Sequence, residues 1–547
     1  MSPSVGLVTL NARYIHSALA LRYLRNAARR AGFSRTWIRE YLIHQPTWKI
    51  AADILQQAPD ILGVGVYIWN RRQSLELIEM LQKQKPELVI CVGGPEVSFD
   101  PEPPPGCTLI AGEGEAKWVD FLRYAMRGER PEPAVLRRWA TYGTDLPALE
   151  APYLEEDLPH LQHRYAYIET SRGCPYRCSF CLSALDETVR YFDEAVIRRQ
   201  LTLLMDAGVR KFKFVDRTFN LNPKRMRRLM EWLAQFEDRE FHFEVVGDLL
   251  REDMLDFLST VPRGVFQFEI GIQTVDPEVN ARIERRQNND TLFAALERLV
   301  REDRVHVHGD LIFGLPGETR EKILESVERV TRLRLHELQL GFLKFLPGAP
   351  ISGLIKEHDY RYLSHPPYEM ICHRDLAAGD VLYLKAFAEV FDLFYNSKRF
   401  RFSLDFQFRR RRVVDVFDAL REALDRAGGK SDALSLEAQY ELFARTLKVA
   451  DHPEARDRLK LDYLYHQRVF RLPGFMQRAP WPAEEAEVRT WPGDRRSPVA
   501  PFRHVLRLTA GRLELTPAPA PVEYAVVHPP KTQGYLPAPR LCRVGEE

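Results

Sequence analysis

Three cysteines lie close together and carry most of the chemistry that this sequence can be expected to perform. They occur in the segment CPYRCSFC as Cys174, Cys178 and Cys181, directly after a predicted strand at 166–170. Three thiolates with this spacing can bind three irons of one cubane cluster, which usually has four cysteine ligands. One iron would then stay open to a non-protein ligand. A structural zinc site is the alternative, but zinc prefers a closed tetrahedral set and Cys-x-x-Cys pairs.

The remaining cysteines and the amino terminus indicate the cellular compartment in which the protein is expected. The scattered cysteines are Cys91, Cys107, Cys372 and Cys542. A sparse and odd number of cysteines is typical of a reducing compartment with free thiols or a metal site. The amino terminus has no charged segment followed by a long apolar one, so we expect no signal peptide. No apolar run reaches the roughly 18 residues of a membrane span, and the expected location is the cytoplasm.

Composition narrows the class of protein. The chain has 547 residues, with 78 Lys+Arg, 76 Asp+Glu and a formal net charge of +2. This length predicts about three domains. Hydrophobic residues at 45% and charged residues at 28% are typical of a globular protein and exclude a collagen-like, disordered or disulfide-scaffold chain. Near-neutral charge argues against a dedicated nucleic-acid binder, so no nucleic-acid partner is expected.

The first predicted domain, 1–130, alternates apolar runs with segments of helical spacing. The predicted strands include 5–10, 60–67, 88–92 and 107–111, and the predicted helices include 17–30, 48–57 and 75–84. This alternation indicates an α/β domain with a doubly wound parallel sheet. Several glycines lie within or just after the predicted strands, such as Gly63, Gly93 and Gly112. Their shared position favours a ligand site, although each alone could be an ordinary turn glycine. No Gly-x-Gly-x-x-Gly follows the first strand, which argues against a dinucleotide site.

A proline-rich linker at 131–165 separates this domain from a second alternating region at 166–360. The predicted strands are 166–170, 211–215, 242–246, 265–272, 305–312 and 337–345. Predicted helices fall between them, around 194–207, 224–234, 251–258, 291–301 and 322–333. Six such βα repeats predict a (β/α)6 partial TIM barrel, with its chemistry at the carboxyl ends of the strands.

The last predicted domain, 365–547, is expected to be mainly α-helical with a Pro-rich tail. Alternating phenylalanines at 400–408 have a strand period, but a helix is an open alternative. Seven basic residues between Lys398 and Arg412 indicate a solvated face or an anionic-ligand contact. The segment TPAPAPV at 516–522 predicts a short rigid connector.

The cysteine spacing, with an aromatic residue before the last cysteine, resembles the signature of the radical S-adenosylmethionine (radical SAM) superfamily. The segments FVDRTFN (214–220), FEIGIQT (268–274), DLIFGLPGET (310–319) and LKFLPGAP (343–350) resemble later motifs of that superfamily in order. The resemblance covers about 165–350. It implies a [4Fe–4S] cluster whose open iron is chelated by S-adenosylmethionine, and cleavage of that molecule to a 5′-deoxyadenosyl radical. The residues it assigns to S-adenosylmethionine are Phe180, Asp216, Glu269, Gln273, Ile312, Gly314 and Pro316. Arg217 departs from many relatives, which have a second acidic residue there.

The first domain looks like a cobalamin-binding domain. The segment NARYIHSALALRYL at 11–24 resembles an uncharacterised branch of cobalamin-dependent radical SAM proteins with its own C-terminal domain. The residues that the resemblance assigns to cobalamin are Asn11, His16, Tyr67, Trp69, Gly93, Gly94, Glu96, Gly112, Gly114 and Glu115. The Asp-x-His-x-x-Gly motif that supplies a lower axial histidine is absent, as is common in this group. His16 is either an axial ligand or an ordinary hydrogen-bonded loop histidine, and an empty, vestigial domain is a further alternative.

The resemblance implies a methyltransferase that acts on an unactivated carbon, with a [4Fe–4S] cluster, S-adenosylmethionine and cobalamin as cofactors. Cobalamin-dependent rearrangement or cyclisation is an alternative outcome in the same group. A methylthiotransferase is another, but it predicts a second three-cysteine cluster in the first domain. An iron–sulfur sensor or scaffold is the alternative that is not an enzyme. The expected partners are a substrate that the sequence does not identify and an electron donor such as flavodoxin or ferredoxin.

Overall fold

The computed structural model describes residues 2–100, 103–129, 146, 149–429, 434–466, 471–482, 488–491, 494–509, 512–527 and 540–544. Most of the predicted linker up to 148 lies outside these described residues. Contacts divide the chain into two compact units. The first unit comprises Met1–Val246, Asn280–Arg286 and Phe342–Ile371. The second unit comprises Gly247–Val279, Gln287–Gly341 and Cys372–Glu547.

The first unit begins with a five-stranded parallel sheet. Its strands are β1 (Val5–Asn11), β2 (Thr36–Leu42), β3 (Ile61–Gly65), β4 (Val89–Gly93) and β5 (Cys107–Ile110). They lie in the order β2-β1-β3-β4-β5, and every neighbouring pair is parallel. The strand order reverses between β1 and β3, and open α/β sheets bind ligands at such a switch point. The predicted doubly wound sheet is confirmed.

Helices cover both faces of this sheet because β1 is apolar on both sides. The helices are Leu19–Arg30, Thr47–Gln56, Arg71–Gln84 and Glu115–Met126. Val8 packs in one core cluster with Ile50 and Leu77, whereas Leu7 packs in another with Trp118. Successive side chains of a strand point to opposite faces, so the two clusters lie on opposite sides of the sheet. All seven residues of β1 are buried, as expected for a strand covered on both faces.

The second sheet has six strands that follow one another in chain order. They are β6 (Tyr165–Ile168), β7 (Lys211–Phe214), β8 (Glu240–Val245), β9 (Phe266–Gln273), β10 (His306–Phe313) and β11 (Glu337–Phe342). The intervening helices are Glu194–Asp206, Pro223–Leu233, Glu252–Leu258, Asn289–Glu302 and Arg320–Arg332. Side chains of Asp193, Asn222, Asn288 and Thr319 cap the amino termini of four of them. The six strands and the helices between them confirm the predicted (β/α)6 partial barrel.

The C-terminal region is mainly helical from Ala378 to His466, as predicted. Its helices are Ala378–Phe391, Arg401–Phe408, Val413–Arg426, Leu436–Thr446 and Pro453–His466, and a π-helical turn spans Asp392–Asn396. The alternating phenylalanines at 400–408 therefore lie mostly in a helix, not in a strand. No described helix is long and apolar enough to cross a membrane.

A four-stranded antiparallel sheet follows these helices. Its strands are β12 (Arg489–Trp491), β13 (Asp494–Thr509), β14 (Arg512–Val527) and β15 (Arg540–Arg543). The prediction of a connector at 516–522 is wrong, because this segment lies within β14. Strands tolerate proline at bulges and along unpaired edges. The pairing of β13 with β14 shifts register opposite these prolines, and β15 pairs with β14 only over Tyr524–Val527.

Candidate functional site

The cysteine loop follows β6 and folds tightly back on itself. Cys174 and Cys178 are buried, and Cys181 is half-buried. The backbone N–H of Cys174 donates to the carbonyl of Asp186 at 2.8 Å, and that of Cys181 donates to the carbonyl of Cys178 at 3.0 Å. Gly173 has a φ of +90°, and a Cβ there would collide with a backbone carbonyl. The turn into the loop therefore requires glycine.

Two of the three sulfur atoms accept N–H donors. Sγ of Cys178 accepts from Nη1 of Arg285 at 3.8 Å, and Sγ of Cys181 accepts from the backbone N–H of Ser183 at 3.4 Å. Burial raises the pKa of Cys178, and the neighbouring thiols raise it further, whereas Arg285 opposes the shift. The N–H groups of Arg285 and Ser183 stabilise negative charge on the sulfur atoms, and the thiolate is the form that binds a metal. The sequence carries no signal for Arg285, because 107 positions separate it from Cys178.

The donor set fits an iron–sulfur cluster. Three thiols in a partly buried loop with N–H donors are the ligands that such a cluster uses. No group of three or more His, Cys, Asp or Glu side chains in the described part of the chain is arranged to hold a single metal ion. A cubane cluster offers a separate iron to each thiolate, so its cysteines need not converge on one point.

Asp216 holds Thr170 and Ser171, which lie shortly after the end of β6. Its fully buried carboxylate accepts hydrogen bonds from the backbone N–H of Thr170 at 3.0 Å and from the hydroxyls of Thr170 and Ser171 at 2.6 Å each. Burial raises the pKa of Asp216, and these donors oppose the shift. Asp216 therefore anchors the chain just before the cysteine loop. Its predicted contact with S-adenosylmethionine stays a prediction.

In the second unit, Gln273 ends β9 in a strained conformation. Its φ is +65°, and the register with β10 shifts beside it. Its buried Oε1 has no hydrogen-bond partner among the described residues. Non-glycine residues with positive φ often cluster at ligand sites, where strain is part of the design. Glu269 is half-buried along β9, on the same face of the strand as Gln273.

Glu318 shapes the loop that follows β10. Its Oε2 accepts the backbone N–H groups of Gly314 and Leu315, each at 3.0 Å. Burial raises the pKa of Glu318 to about 8, although these bonds oppose the shift. Gly314 has a φ of +86°, Pro316 is buried and Ile312 is half-buried at the end of the strand. Sequence reasoning selected Gly314 and Pro316 but missed the carboxyl group that holds their loop.

At the switch point of the first sheet, an aromatic surface follows β3. Trp69 is 47% exposed, and its ring stacks on Tyr67 with centroids 4.7 Å apart and planes 3° apart. Its indole N–H donates to the carbonyl of Leu10 at 3.0 Å, and the Asn70 side chain donates to the same carbonyl at 2.9 Å. The end of β1 is thus tied to the loop after β3. A flat, fixed ring there suits a large planar ligand.

His16 lies beside the same edge and is already hydrogen-bonded. Its Nδ1 lies 2.7 Å from the hydroxyl of Tyr167, and its carbonyl accepts the Asn11 side-chain amide at 3.1 Å. Burial lowers the pKa of His16, as do Lys213 and Arg13. This arrangement favours the alternative of a hydrogen-bonded loop histidine. Axial ligation by His16 stays untested.

The two predicted glutamates at this edge contact other segments of the first unit. Glu96 accepts the hydroxyl of Tyr368 and lies 3.7 Å from Arg71, and burial raises the pKa of Glu96. Glu115 pairs with Arg172 at 2.8 Å. The glycines that precede them form the predicted turns. Gly93, Gly94, Gly112 and Gly114 are half-buried, with φ of +110° at Gly94 and +70° at Gly112.

Three family models match successive parts of the chain. A B12 binding domain matches 5–121, the radical SAM superfamily matches 168–330, and DUF4080, a family of unknown function, matches 356–505. The chain thus combines a B12 binding domain with a radical SAM domain and a further C-terminal domain, as the resemblance implied.

Several known proteins are similar to large parts of the chain. The chain is 25% identical over 358 residues to the cobalamin-dependent radical SAM methyltransferase TokK of Streptomyces tokunonensis, covering 58% of this chain and 51% of TokK. It therefore spans about half the length of that relative. It is 23% identical over 333 residues to a tRNA-2-methylthio-N(6)-dimethylallyladenosine synthase of Psychrobacter, covering 56% of this chain and 66% of that one. The solved structure of the cobalamin-dependent S-adenosylmethionine radical enzyme OxsB, with aqua-cobalamin and S-adenosylmethionine bound, shares the fold. The TM-score is 0.59 at 14% identity, over 83% of this chain and 80% of OxsB.

Proposed function

We propose that this chain, a radical SAM protein with a B12 binding domain, transfers a methyl group from S-adenosylmethionine to an unactivated carbon of its substrate. The cofactor predictions agree with the matched domains, since a radical SAM domain implies S-adenosylmethionine and a [4Fe–4S] cluster, and a B12 binding domain implies cobalamin. One observation carries the proposal. The cysteine loop and the carboxyl edge of the first sheet lie in one compact unit and are joined by ion pairs.

The residues of the first unit would hold the cluster. Cys174, Cys178 and Cys181 are the ligands, and Arg285 would offset the negative charge of the loaded site through its contact with Cys178. Asp216 fixes the entry to the loop through Thr170 and Ser171. When bound, the cluster and the corrinoid would supply one-electron chemistry and methyl-carrier chemistry.

The residues of the second unit would bind the nucleoside part of S-adenosylmethionine. The buried acceptor of Gln273 has no partner among the described residues and could accept a hydroxyl or amino proton from the ligand. The loop that Glu318 holds through Gly314 and Leu315 would pack on the adenine, as the resemblance implies. An external donor such as flavodoxin or ferredoxin would deliver the electron.

The test is to incubate anaerobically reconstituted protein with S-adenosylmethionine and a strong reductant, with and without added cobalamin. A methyltransferase of this kind forms two co-products, 5′-deoxyadenosine and S-adenosylhomocysteine, and the second requires cobalamin. We expect both products from the native chain and neither from Cys178→Ala. Formation of 5′-deoxyadenosine alone would favour rearrangement or cyclisation. Absence of both products would favour the alternative that the protein is an iron–sulfur sensor or scaffold.

A methylthiotransferase is supported by the match to the Psychrobacter synthase. That function predicts a second three-cysteine cluster in the first domain. The sequence has two cysteines there, Cys91 in β4 and Cys107 in β5, and both side chains are buried. The methyl-transfer proposal therefore fits the residues better.

A further inference from the structure

The guanidinium group of Arg172 joins two parts of the first unit. Arg172 directly precedes Gly173 and Cys174 in the chain. Its Nη2 lies 2.8 Å from Oε1 of Glu115 and 2.9 Å from Oε2 of Glu169. Glu115 is the first residue of the helix after β5, at the edge proposed to bind the corrinoid. One arginine thus connects that edge to the start of the cysteine loop.

Arg190 forms a second connection beside the first. It pairs with Arg172 in a short antiparallel ladder. Its guanidinium contacts Glu113 from the corrinoid edge, and it lies 2.9 Å from the carboxylate of Asp186. The carbonyl of Asp186 accepts the N–H of Cys174. The first connection therefore runs from the loop at 112–115 to the residue just before Gly173 and Cys174, and the second runs from the same loop to Asp186, which contacts Cys174.

The surroundings of Arg172 fix its position. The rings of Tyr23 and Phe192 lie 5.4 and 5.7 Å from its guanidinium carbon, within the range of cation–π attraction. Burial alone would lower the pKa of Arg172, but the carboxylates of Glu169 and Glu115 raise it, so the group stays charged. The point charge of lysine only partly replaces a rigid fork that contacts two carboxylates at once.

Loss of this arginine would remove one of the two connections between these segments and leave the one through Arg190. Burial raises the pKa of Glu169, and Arg172 is the first group that opposes this shift. Without the arginine, the partly buried carboxylates of Glu115 and Glu169 would lose the cation that they share, and removing one partner of a buried ion pair is costly. A ligand at the 112–115 edge and a cluster in the cysteine loop would then no longer influence one another through this contact.

We propose that Arg172 is a positioning residue that couples corrinoid binding at the 112–115 edge to cluster binding in the cysteine loop. This inference rests on the proposed function, because it presupposes that the chain binds both groups. Coupling between two sites is reciprocal, so each group strengthens binding of the other by the same factor. Couplings of this kind are typically on the order of tenfold.

The test is a titration with hydroxocobalamin, followed by absorbance, of protein with and without the reconstituted cluster. For the native chain we expect the cluster to lower the Kd for the corrinoid by on the order of tenfold. For Arg172→Gln we expect this factor to fall severalfold, with the remainder carried by Arg190, and Arg172→Lys should show a smaller fall. Arg177→Gln is the matched control, because Arg177 lies in the same cysteine loop, is exposed and pairs only with Glu187 among the ion pairs of the described residues. It should keep the native factor.

Hydrogen exchange of the cofactor-free chain gives a second readout. Arg172→Gln should increase exchange in the segments 112–116 and 171–175 together, and Arg177→Gln should not. An Arg172→Gln protein with the native coupling factor would overturn the inference while leaving the proposed function intact. If Arg172→Gln does not fold, Arg172→Lys with the full native factor would overturn it instead. A native chain that binds no corrinoid would overturn the proposed function, and this inference with it.

Discussion

The buried carboxyl group of Glu318 allows a quantitative test of how the proposed adenine loop is held. Glu318 is 1% exposed, and its Oε2 accepts the N–H groups of Gly314 and Leu315 at 3.0 Å. Burial raises its pKa to about 8, against an ordinary value of 4.5. At pH 7 the folded chain therefore holds Glu318 largely as the neutral acid, which still accepts these bonds through its carbonyl oxygen.

The direction of the pH effect follows from the raised pKa. A carboxyl group that is easier to protonate in the folded chain stabilises the fold at low pH, and this contribution is lost as the pH rises from about 4.5 to about 8. The free energy of unfolding falls by up to about 1.4 kcal/mol per pH unit, so the fold is about 2 kcal/mol less stable at pH 8 than at pH 6. Glu318→Gln keeps an oxygen acceptor and does not ionise, so it should abolish this loss. Glu318→Ala leaves two buried N–H groups without an acceptor, at about 1–3 kcal/mol each at any pH.

Hydrogen exchange of a peptide spanning 312–319 is the appropriate assay, because local opening is measurable in a chain with several domains. After correction for intrinsic rates, opening of this loop in the native chain should increase roughly thirtyfold from pH 6 to pH 8, the equivalent of about 2 kcal/mol. Glu318→Gln should show little change over the same range. Glu321→Gln, an exposed glutamate of the next helix, is the control and should behave like the native chain. An equal pH response in the native and Glu318→Gln proteins would refute the reasoning.

Three further predictions concern the cysteine loop. Cys178→Ala should abolish retention of iron after reconstitution, whereas Cys372→Ala, outside the loop, should keep it; iron analysis distinguishes the two. Arg285→Leu removes a charged N–H donor from Sγ of Cys178, so a redox titration should give a more negative midpoint potential for the cluster. An unchanged potential would show that Arg285 does not stabilise the reduced cluster. Asp216→Ala leaves the buried N–H and hydroxyl of Thr170 without their acceptor, which should destabilise this segment by about 2–4 kcal/mol. The measurement is hydrogen exchange at 169–173, which should increase. Protection equal to that of the native chain would contradict this prediction.

The architecture could be predicted from the sequence because local signals agree with the fold. Apolar runs mark the buried strands of both sheets, and capping side chains such as Asp193 and Thr319 mark the starts of helices. The strand Thr36–Leu42 was not among the predicted strands, since it lies at an edge and mixes charged with apolar residues. The prolines at 516–522 suggested a connector, because a single chain segment does not show where its neighbours leave a strand unpaired.

The candidate site could be predicted only in part. The cysteine spacing is local, so it identified Cys174, Cys178 and Cys181 without a structure. Arg285 and Glu318 carry no such signal, because their roles depend on contacts that the tertiary fold creates. Arg172 was likewise missed, since Glu115 lies 57 positions away from it. The residues proposed to hold a ligand were thus easier to find than those that hold the binding segments in place.

The most direct test of the account is the corrinoid and iron content of the native protein, purified anaerobically and reconstituted with iron, sulfide and cobalamin. The visible spectrum and mass spectrometry of the extracted cofactor give the corrinoid, and chemical analysis gives iron. The account predicts about one corrinoid and about four irons per chain. A protein that retains iron and sulfide but binds no corrinoid, even when cobalamin is supplied, would contradict the central proposal that this chain acts as a cobalamin-dependent methyltransferase.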